Sequence, residues 1–390
     1  MSRSTGTSEA LIQFIRAHYE SEEFIPLHAP VFRGNEKAYL AECIDSTFVS
    51  SVGKFVDEAE KRFAEFIGAP YAVAVTNGTA ALHLALHLAG VKDGEEVLTQ
   101  ALTFVATGNA IRYQRAQPVF LDVDRDSLSL SPRALQDFLE KQTEERDGQR
   151  FNRASGKKIA ACVPMHTFGH VARIAEIAAI CESYGVPLVE DAAESIGSYE
   201  GKTHTGNFGQ LASFSFNGNK TITCGGGGMI TTQSEALAKR AKHLSTVAKR
   251  PHPYEFYHEE LAFNYRMPNV NAALLLAQLE QLPEILENKR ATAQAYADFC
   301  KGRAELEFIA ERPGTRANYW LNVVLTEDLA ARDQLLKKLN EAGVMSRPAW
   351  ILLNELPEFK DCESDKLSNS RWLYERLINL PSSVKSGHVA

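Results

Sequence analysis

The chain has 390 residues, of which 44% are hydrophobic and 23% charged, and a formal net charge of -7. That length suits one large domain with a smaller companion and supplies ample apolar material for a core. The acidic balance gives no global basic field, which excludes nucleic acid as a partner.

Met1 to Glu23 is polar, then amphipathic around Ala10–Arg16, and lacks the unbroken apolar core of a signal peptide. Residues 1–25 therefore read as an N-terminal arm or helix. A helix is predicted from Gly34 to Ser46 and another from Val56 to Ile67, where Ala59, Phe63 and Phe66 recur at helical spacing. Tyr71–Val75 reads as a strand, Thr76–Thr79 as a turn and Ala80–Ala89 as an apolar helix. Strands follow at Glu96–Thr99, Pro118–Asp122, Lys158–Pro164, Pro187–Glu190, Ala212–Ser215 and Gly228–Thr232, with helices after Thr103 and over Ile174–Tyr184. Glu140 to Lys157, charged and containing Gly, Ser and Asn, reads as a mobile surface loop. Short apolar strands alternating with helices predict an α/β fold with a mixed, mostly parallel sheet over residues 26–270. Residues 271–390 are expected to supply a connecting helix (Asn271–Ala297) and a smaller C-terminal α+β unit. That unit has strands near Glu307–Ala310 and Tyr319–Leu325 and a helix over Ala331–Ala342. The boundary is placed to about ten residues. The six cysteines are scattered without C-x-x-C spacing, so neither a metal site nor a disulfide framework is expected. With no run of about 18 apolar residues, the chain reads as cytoplasmic and without a membrane partner.

The chemistry concentrates in Ser213-Phe-Ser-Phe-Asn-Gly-Asn-Lys220, followed by Gly225–Gly228. A loop lysine is ordinarily solvated, but one set among small residues beside an anion site can form a Schiff base with an aldehyde. Val186–Asp191 reads as a buried strand ending in a carboxylate, which is costly to bury without a partner. Lysine for the aldehyde and aspartate for a pyridinium nitrogen are the polar requirements of pyridoxal phosphate. Thr76–Leu82 is a strand-to-helix turn whose N–H groups and helix dipole suit a phosphate, and the hydroxyls of Thr79 and Ser215 can join it. Phe104 can stack on a flat ring, although most phenylalanines are core residues.

Five blocks in order carry a resemblance over about Pro26 to Ser383: Asn77–Leu82, Leu102–Thr107, Glu190–Glu194, Ser213–Lys220 and Asn264–Pro268. The chain resembles the sugar aminotransferases of the DegT/DnrJ/EryC1/StrS family, which adopt the aspartate-aminotransferase (fold type I) fold. That resemblance implies a large cofactor-binding domain and a small C-terminal one, with pyridoxal 5'-phosphate as cofactor. It implies Lys220 as Schiff-base lysine and proton shuttle, Asp191 on the ring nitrogen and Phe104 on the ring face. Gly78, Thr79, Ala80 and Ser215 fall at the phosphate, and Asn264 resembles an asparagine that reaches the neighbouring subunit's phosphate. A homodimer with composite sites follows. Glu194 departs from the commoner Gln or His near the cofactor's phenolic oxygen. As a bare carboxylate it would repel that oxygen, which implies a protonated form or one turned toward the substrate amine; the plainer reading is a glutamate at a helix start.

Within the family, Ser46–Gly53 and the lysine block look most like enzymes that aminate C4 of a nucleotide-linked 4-keto-6-deoxy-N-acetylhexosamine, as in bacillosamine and legionaminic acid synthesis. L-glutamate as donor and a UDP-linked keto sugar as acceptor follow from that resemblance. Candidate substrate contacts are Ser51, Arg266 beside Asn264, and Arg347 in the C-terminal unit; arginine's planar fork suits phosphate. A dehydratase of the same fold would carry histidine in place of Lys220, and a 3-keto-sugar aminotransferase remains an alternative. A non-catalytic regulator has no added helix-turn-helix to support it. Gly225–Gly228 lacks the G-x-G-x-x-G spacing of a nicotinamide enzyme.

Overall fold

A computed structural model describes residues 3–385, and it departs from the expected arm at once. Arg3–Tyr19 is helix α1, and its Leu11 and Ile15 are fully buried against Tyr296, Leu335, Leu339 and Val344 of the C-terminal unit. The amphipathic stretch is thus a docked helix, and only the following residues are extended, with Ile25 bridging Val344. Helices α2 (Glu36–Asp45) and α3 (Lys54–Ile67) follow. In α3 the apolar spacing is read as expected, Phe55, Val56, Ala59, Phe63 and Ile67 being buried, and Gly68 ends the helix at φ 72°.

The chain then lays down β1 (Tyr71–Val75), α4 (Gly78–Leu88), β2 (Glu96–Gln100), α5 (Val105–Tyr113), β3 (Gln117–Leu121) and α6 (Pro132–Lys141). The segment expected to be a mobile loop is instead a hairpin, β4 (Thr143–Arg146) and β5 (Gln149–Asn152). Its turn is Asp147-Gly148, both at positive φ (51° and 71°), the two-residue turn that matches strand twist. Next come β6 (Ile159–Val163), α7 (Ile174–Ser183), β7 (Val189–Asp191), the short pair β8 (Tyr199–Glu200) and β9 (Thr203–His204), β10 (Leu211–Ser215), β11 (Gly228–Thr232) and α8 (Glu235–Ser245).

Strands β1-β11-β10-β7 form one ladder and β3-β2-β6 another. Parallel bridges Cys162–Leu188 and Met165–Asp191 join them into one surface. Only β11 runs antiparallel to its neighbours, so the sheet is mixed and mostly parallel. Both faces are covered, as an apolar parallel sheet requires. Alternate residues of β1 serve opposite cores: Ala74 faces α3 and α9, while Val73 and Val75 face α4.

Helix α9 (Asn269–Cys300) leads into β12 (Glu307–Phe308), β13 (Thr315–Arg316), β14 (Asn322–Leu325), α10 (Leu329–Glu341), β15 (Arg347–Pro348), α11 (Ser368–Tyr374) and β16 (Leu377–Leu380). The antiparallel order β12-β14-β16-β15 is the small α+β unit, and β13 pairs back onto β8. The strand expected from Tyr319 begins at Asn322, because Tyr319 turns the backbone at φ 49°. Among the described residues no helix is long and apolar enough to cross a membrane.

Candidate active site

The ends of β1, β7 and β10 meet on one edge of the sheet, where parallel α/β folds hold their ligands. Asp191 is the last residue of β7. Its carboxylate accepts hydrogen bonds from Thr107 Oγ1 at 2.8 Å and the Ala193 N–H at 3.2 Å. Burial raises its pKa, opposed by the Thr107 bond, the Ala193 N–H and the charge on Lys220. Where β1 ends, the Asn77 side chain caps α4 by accepting from the Ala80 N–H at 2.8 Å. The N–H groups of Gly78 and Thr79 then have no partner among the described residues. They point the positive end of α4 at the same edge. Gly78 must be glycine here, since a Cβ would lie 2.6 Å from the Ser215 Cβ.

Lys220 follows β10 in a turn closed by its own N–H to the Asn217 carbonyl. Its amine donates to Glu194 Oε1 at 3.0 Å and lies 4.1 Å from the centre of the Trp320 ring. Glu194 is 2% exposed, and its other oxygen accepts the Phe168 N–H at 2.8 Å. Burial pushes its pKa up to about 7 in spite of Lys220. Beneath them Glu190 accepts from the N–H groups of Gly206, Phe208 and Gly209 and from His166, tying the strand to the loop that precedes β10.

These groups share a cavity of about 210 Å³ lined by Gly78, Thr79, Phe104, Asp191, Ser215 and Lys220, with Glu194 beside them. Of the sequence-predicted cofactor positions, Ala80 is buried in the first turn of α4 behind the cavity, and Asn264 is exposed, away from it. Asn264 belongs to a segment that runs beside the end of β1, where the Tyr265 carbonyl takes the Thr76 N–H. Phe104 precedes α5 and stays 44% exposed at the mouth.

Arg266, expected to serve a neighbouring subunit's site, does not face the cavity of its own chain. Its guanidinium points into the core, bonded to Glu60 and to the Ala74 carbonyl, and it lines no part of the cavity. Arg347 lines a different cavity, with Trp350 and Asn219, and forms no ion pair among the described residues. Ser51 is half-buried and outside the Lys220 cavity. Sequence reading missed Trp320, which was assigned to a strand, and Thr107, which ends one of the quoted blocks. Thr107 was recoverable as a hydroxyl one helical turn beyond Thr103; nothing local marks Trp320.

The donor set fits pyridoxal phosphate. The free N–H groups of α4 with Ser215 suit a phosphate, the buried Asp191 carboxylate has acceptor capacity left for a ring N–H, and one amine faces both. Comparison with known proteins agrees. The model of the DegT/DnrJ/EryC1/StrS aminotransferase family matches residues 30–388. EpsN of Bacillus subtilis (strain 168), whose name places it among pyridoxal phosphate-dependent aminotransferases, is 36% identical over 92% of this chain and 90% of its own. GDP-perosamine synthase of Escherichia coli O157:H7 is 35% identical over 92% and 93%. A crystal structure of a DegT DnrJ EryC1 StrS aminotransferase from Brucella abortus superimposes with a TM-score of 0.82 at 25% identity, covering 96% of this chain and 93% of that one. The chain belongs to the DegT/DnrJ/EryC1/StrS aminotransferase family and is a pyridoxal phosphate-dependent sugar aminotransferase.

Proposed function

We propose that the chain moves the amino group of L-glutamate to C4 of a UDP-linked 4-keto-6-deoxy-N-acetylhexosamine, in the cytoplasm, for cell-surface glycan synthesis. The observation that carries the amine transfer is the placement of Lys220, Asp191 and the open start of α4 on one cavity. The sugar class is supported by the Ser46–Gly53 and Ser213–Lys220 blocks.

When bound, pyridoxal phosphate supplies an aldehyde that carries the amino group and a ring that draws negative charge from the reacting carbon. The N–H groups of Gly78 and Thr79 and the Ser215 hydroxyl hold the phosphate. Asp191 accepts the ring N–H and so keeps that nitrogen positive. Phe104 covers the ring and limits water. Lys220 Nζ would take the α-proton of glutamate in one half-reaction and deliver a proton to C4 of the sugar in the other, while Glu194 Oε1 would receive the amine when it swings free. Asn264 is assigned to the site of a second copy, in a homodimer.

A second reading, a GDP-linked 4-keto sugar, is favoured by the 35% identity to a GDP-perosamine synthase. The test is 2-oxoglutarate release from glutamate with a panel of UDP-, GDP- and dTDP-linked 4-keto sugars. Turnover is expected with the UDP-linked N-acetylated member, and turnover confined to GDP-linked 2-hydroxy sugars would favour the second reading.

A further inference from the structure

Lys220 and Glu194 lie before helix α9, yet a turn that follows it, Asn318-Tyr319-Trp320, grips them both. The Asn318 amide donates to the Glu194 carbonyl at 2.8 Å and the Ile196 carbonyl at 2.9 Å, and its Oδ1 accepts the Trp320 N–H at 2.8 Å. Trp320 Nε1 donates to the carbonyl of Asn219, the residue before Lys220, at 2.7 Å, and the centre of its ring lies 4.1 Å from the Lys220 amine. The buried Lys289 amine fixes the turn from behind, donating to the Trp320 carbonyl at 3.2 Å and the Ser382 carbonyl at 2.6 Å.

The backbone is strained at this junction. Tyr319 at φ 49° and Phe168 at φ 56° are both buried and both in the left-handed region, which side chains of that bulk rarely enter. Such strain persists where the surroundings over-determine it and gathers at functional sites. Here each bend has a product. Phe168 turns its N–H to Glu194 Oε2 at 2.8 Å, and the bend at Tyr319 sets Asn318 on the Glu194 segment and Trp320 on the Lys220 turn. Core packing alone asks for none of this. An apolar side chain fills the same space, whereas an indole adds a donor for Asn219 and a face that attracts an ammonium. A lysine amine on its flexible four-carbon stem needs such confinement if it is to return to one place. Glu194 supplies one side of it and the indole the other.

We propose that Trp320 is a positioning residue for Lys220: its indole face holds the uncombined amine beside Glu194, ready for proton transfer, and Asn318 sets the two in register. The inference rests on the Lys220 role proposed above.

The test uses Trp320→Phe, which keeps an aromatic face without the N–H, and Trp320→Leu, which keeps apolar bulk alone. In cofactor-free protein, acylation of Lys220 by acetic anhydride is followed by peptide mass spectrometry against the exposed Lys337. Labelling should speed up about threefold or more in the Leu variant and stay near wild type in the Phe variant. In loaded protein the single-turnover rate with glutamate should fall about tenfold or more in the Leu variant and much less in the Phe variant, with cofactor affinity unchanged in both. Unchanged labelling in the Leu variant, equal losses in the two variants, or a loss of cofactor affinity matching the loss of rate would overturn the proposal. The Phe variant keeps the core filled and decides even where the Leu variant does not fold: labelling and rate near wild type support the proposal, and a large change in either overturns it. Labelling is done without cofactor, so failure of the contact is distinguished from failure of the Lys220 role, which borohydride reduction would show as cofactor attached to another lysine.

Discussion

Asp191 and Glu194 sit three residues apart on the same sheet edge, yet their surroundings give them different work. Asp191 has a hydroxyl and a backbone N–H to stabilise its charge, and its remaining lone pairs face the cavity. Asp191→Asn keeps the shape but cannot hold a ring nitrogen positive. Steady-state turnover should fall by well over tenfold, more than about 1.4 kcal/mol in the barrier; retention of a tenth of the wild-type rate would rule the role out. Glu194 is raised from 4.5 to about 7 by burial. The folded state therefore binds its proton more tightly than the unfolded chain does, and stability declines as pH rises through that window. The buried His83, His170 and His204, lowered to about 4, tilt the overall profile the other way, so the comparison is with Glu194→Gln. Thermal unfolding of cofactor-free protein should show wild type losing stability relative to the variant between about pH 4.5 and 7. An unchanged slope in the variant would assign the dependence to another group. Asp191 was legible as a candidate because it ends a run of apolar residues, and Glu194 because the resemblance sets Gln or His at its position. The pairing of Glu194 with Lys220 was not, since it depends on a backbone donor from Phe168 that only the fold supplies.

At the level of elements, patterns of period two and 3.6 were read correctly wherever both neighbours were local in sequence. The strand-to-helix turn after β1 is the clearest case, although α4 starts at Gly78 rather than Ala80, with the Asn77 cap and the close approach of Ser215 to Gly78 seen only in the fold. Two failures have physical causes. Asp147-Gly148 is a strong turn signal, but the charged flanks hid two strands that pair mainly with each other. The Arg266 ion pair was not legible because its partner Glu60 lies 206 residues earlier, and only the packing of α3 under β1 joins them. Arg266→Ala should therefore act on stability. It leaves the buried Glu60 with the Lys242 amine and the Ala74 N–H but without its guanidinium, so urea unfolding should show a loss of about 3 kcal/mol. The kcat/KM of the folded variant for the sugar should stay near wild type. A selective loss in the sugar half-reaction would instead restore the substrate role.

For the molecule as a whole, two of the segments that leave large apolar side chains in water stand out by their place in the chain. Tyr254, Phe256 and Leu261 are 80%, 80% and 90% exposed, and Phe48 and Val52 are 55% and 71%. Patches of this kind mark association surfaces, and the first of them leads directly to Asn264. The homodimer proposed above would cover them. Wild type should sediment as a dimer, and Tyr254→Asp with Leu261→Asp should yield monomer with weakened cofactor binding; a monomeric wild type with full affinity would remove Asn264 from the site. Such a surface was invisible to pattern reading, since exposure is a property of the folded chain. Lys220 was legible because its chemistry requires its neighbours. The most direct measurement is borohydride reduction of the pyridoxal phosphate-loaded protein followed by peptide mass spectrometry. The cofactor should be found on the peptide carrying Lys220, with none retained covalently in Lys220→Ala and no turnover in that variant. Labelling of a different lysine, or a Lys220→Ala protein that still transaminates, would contradict the account.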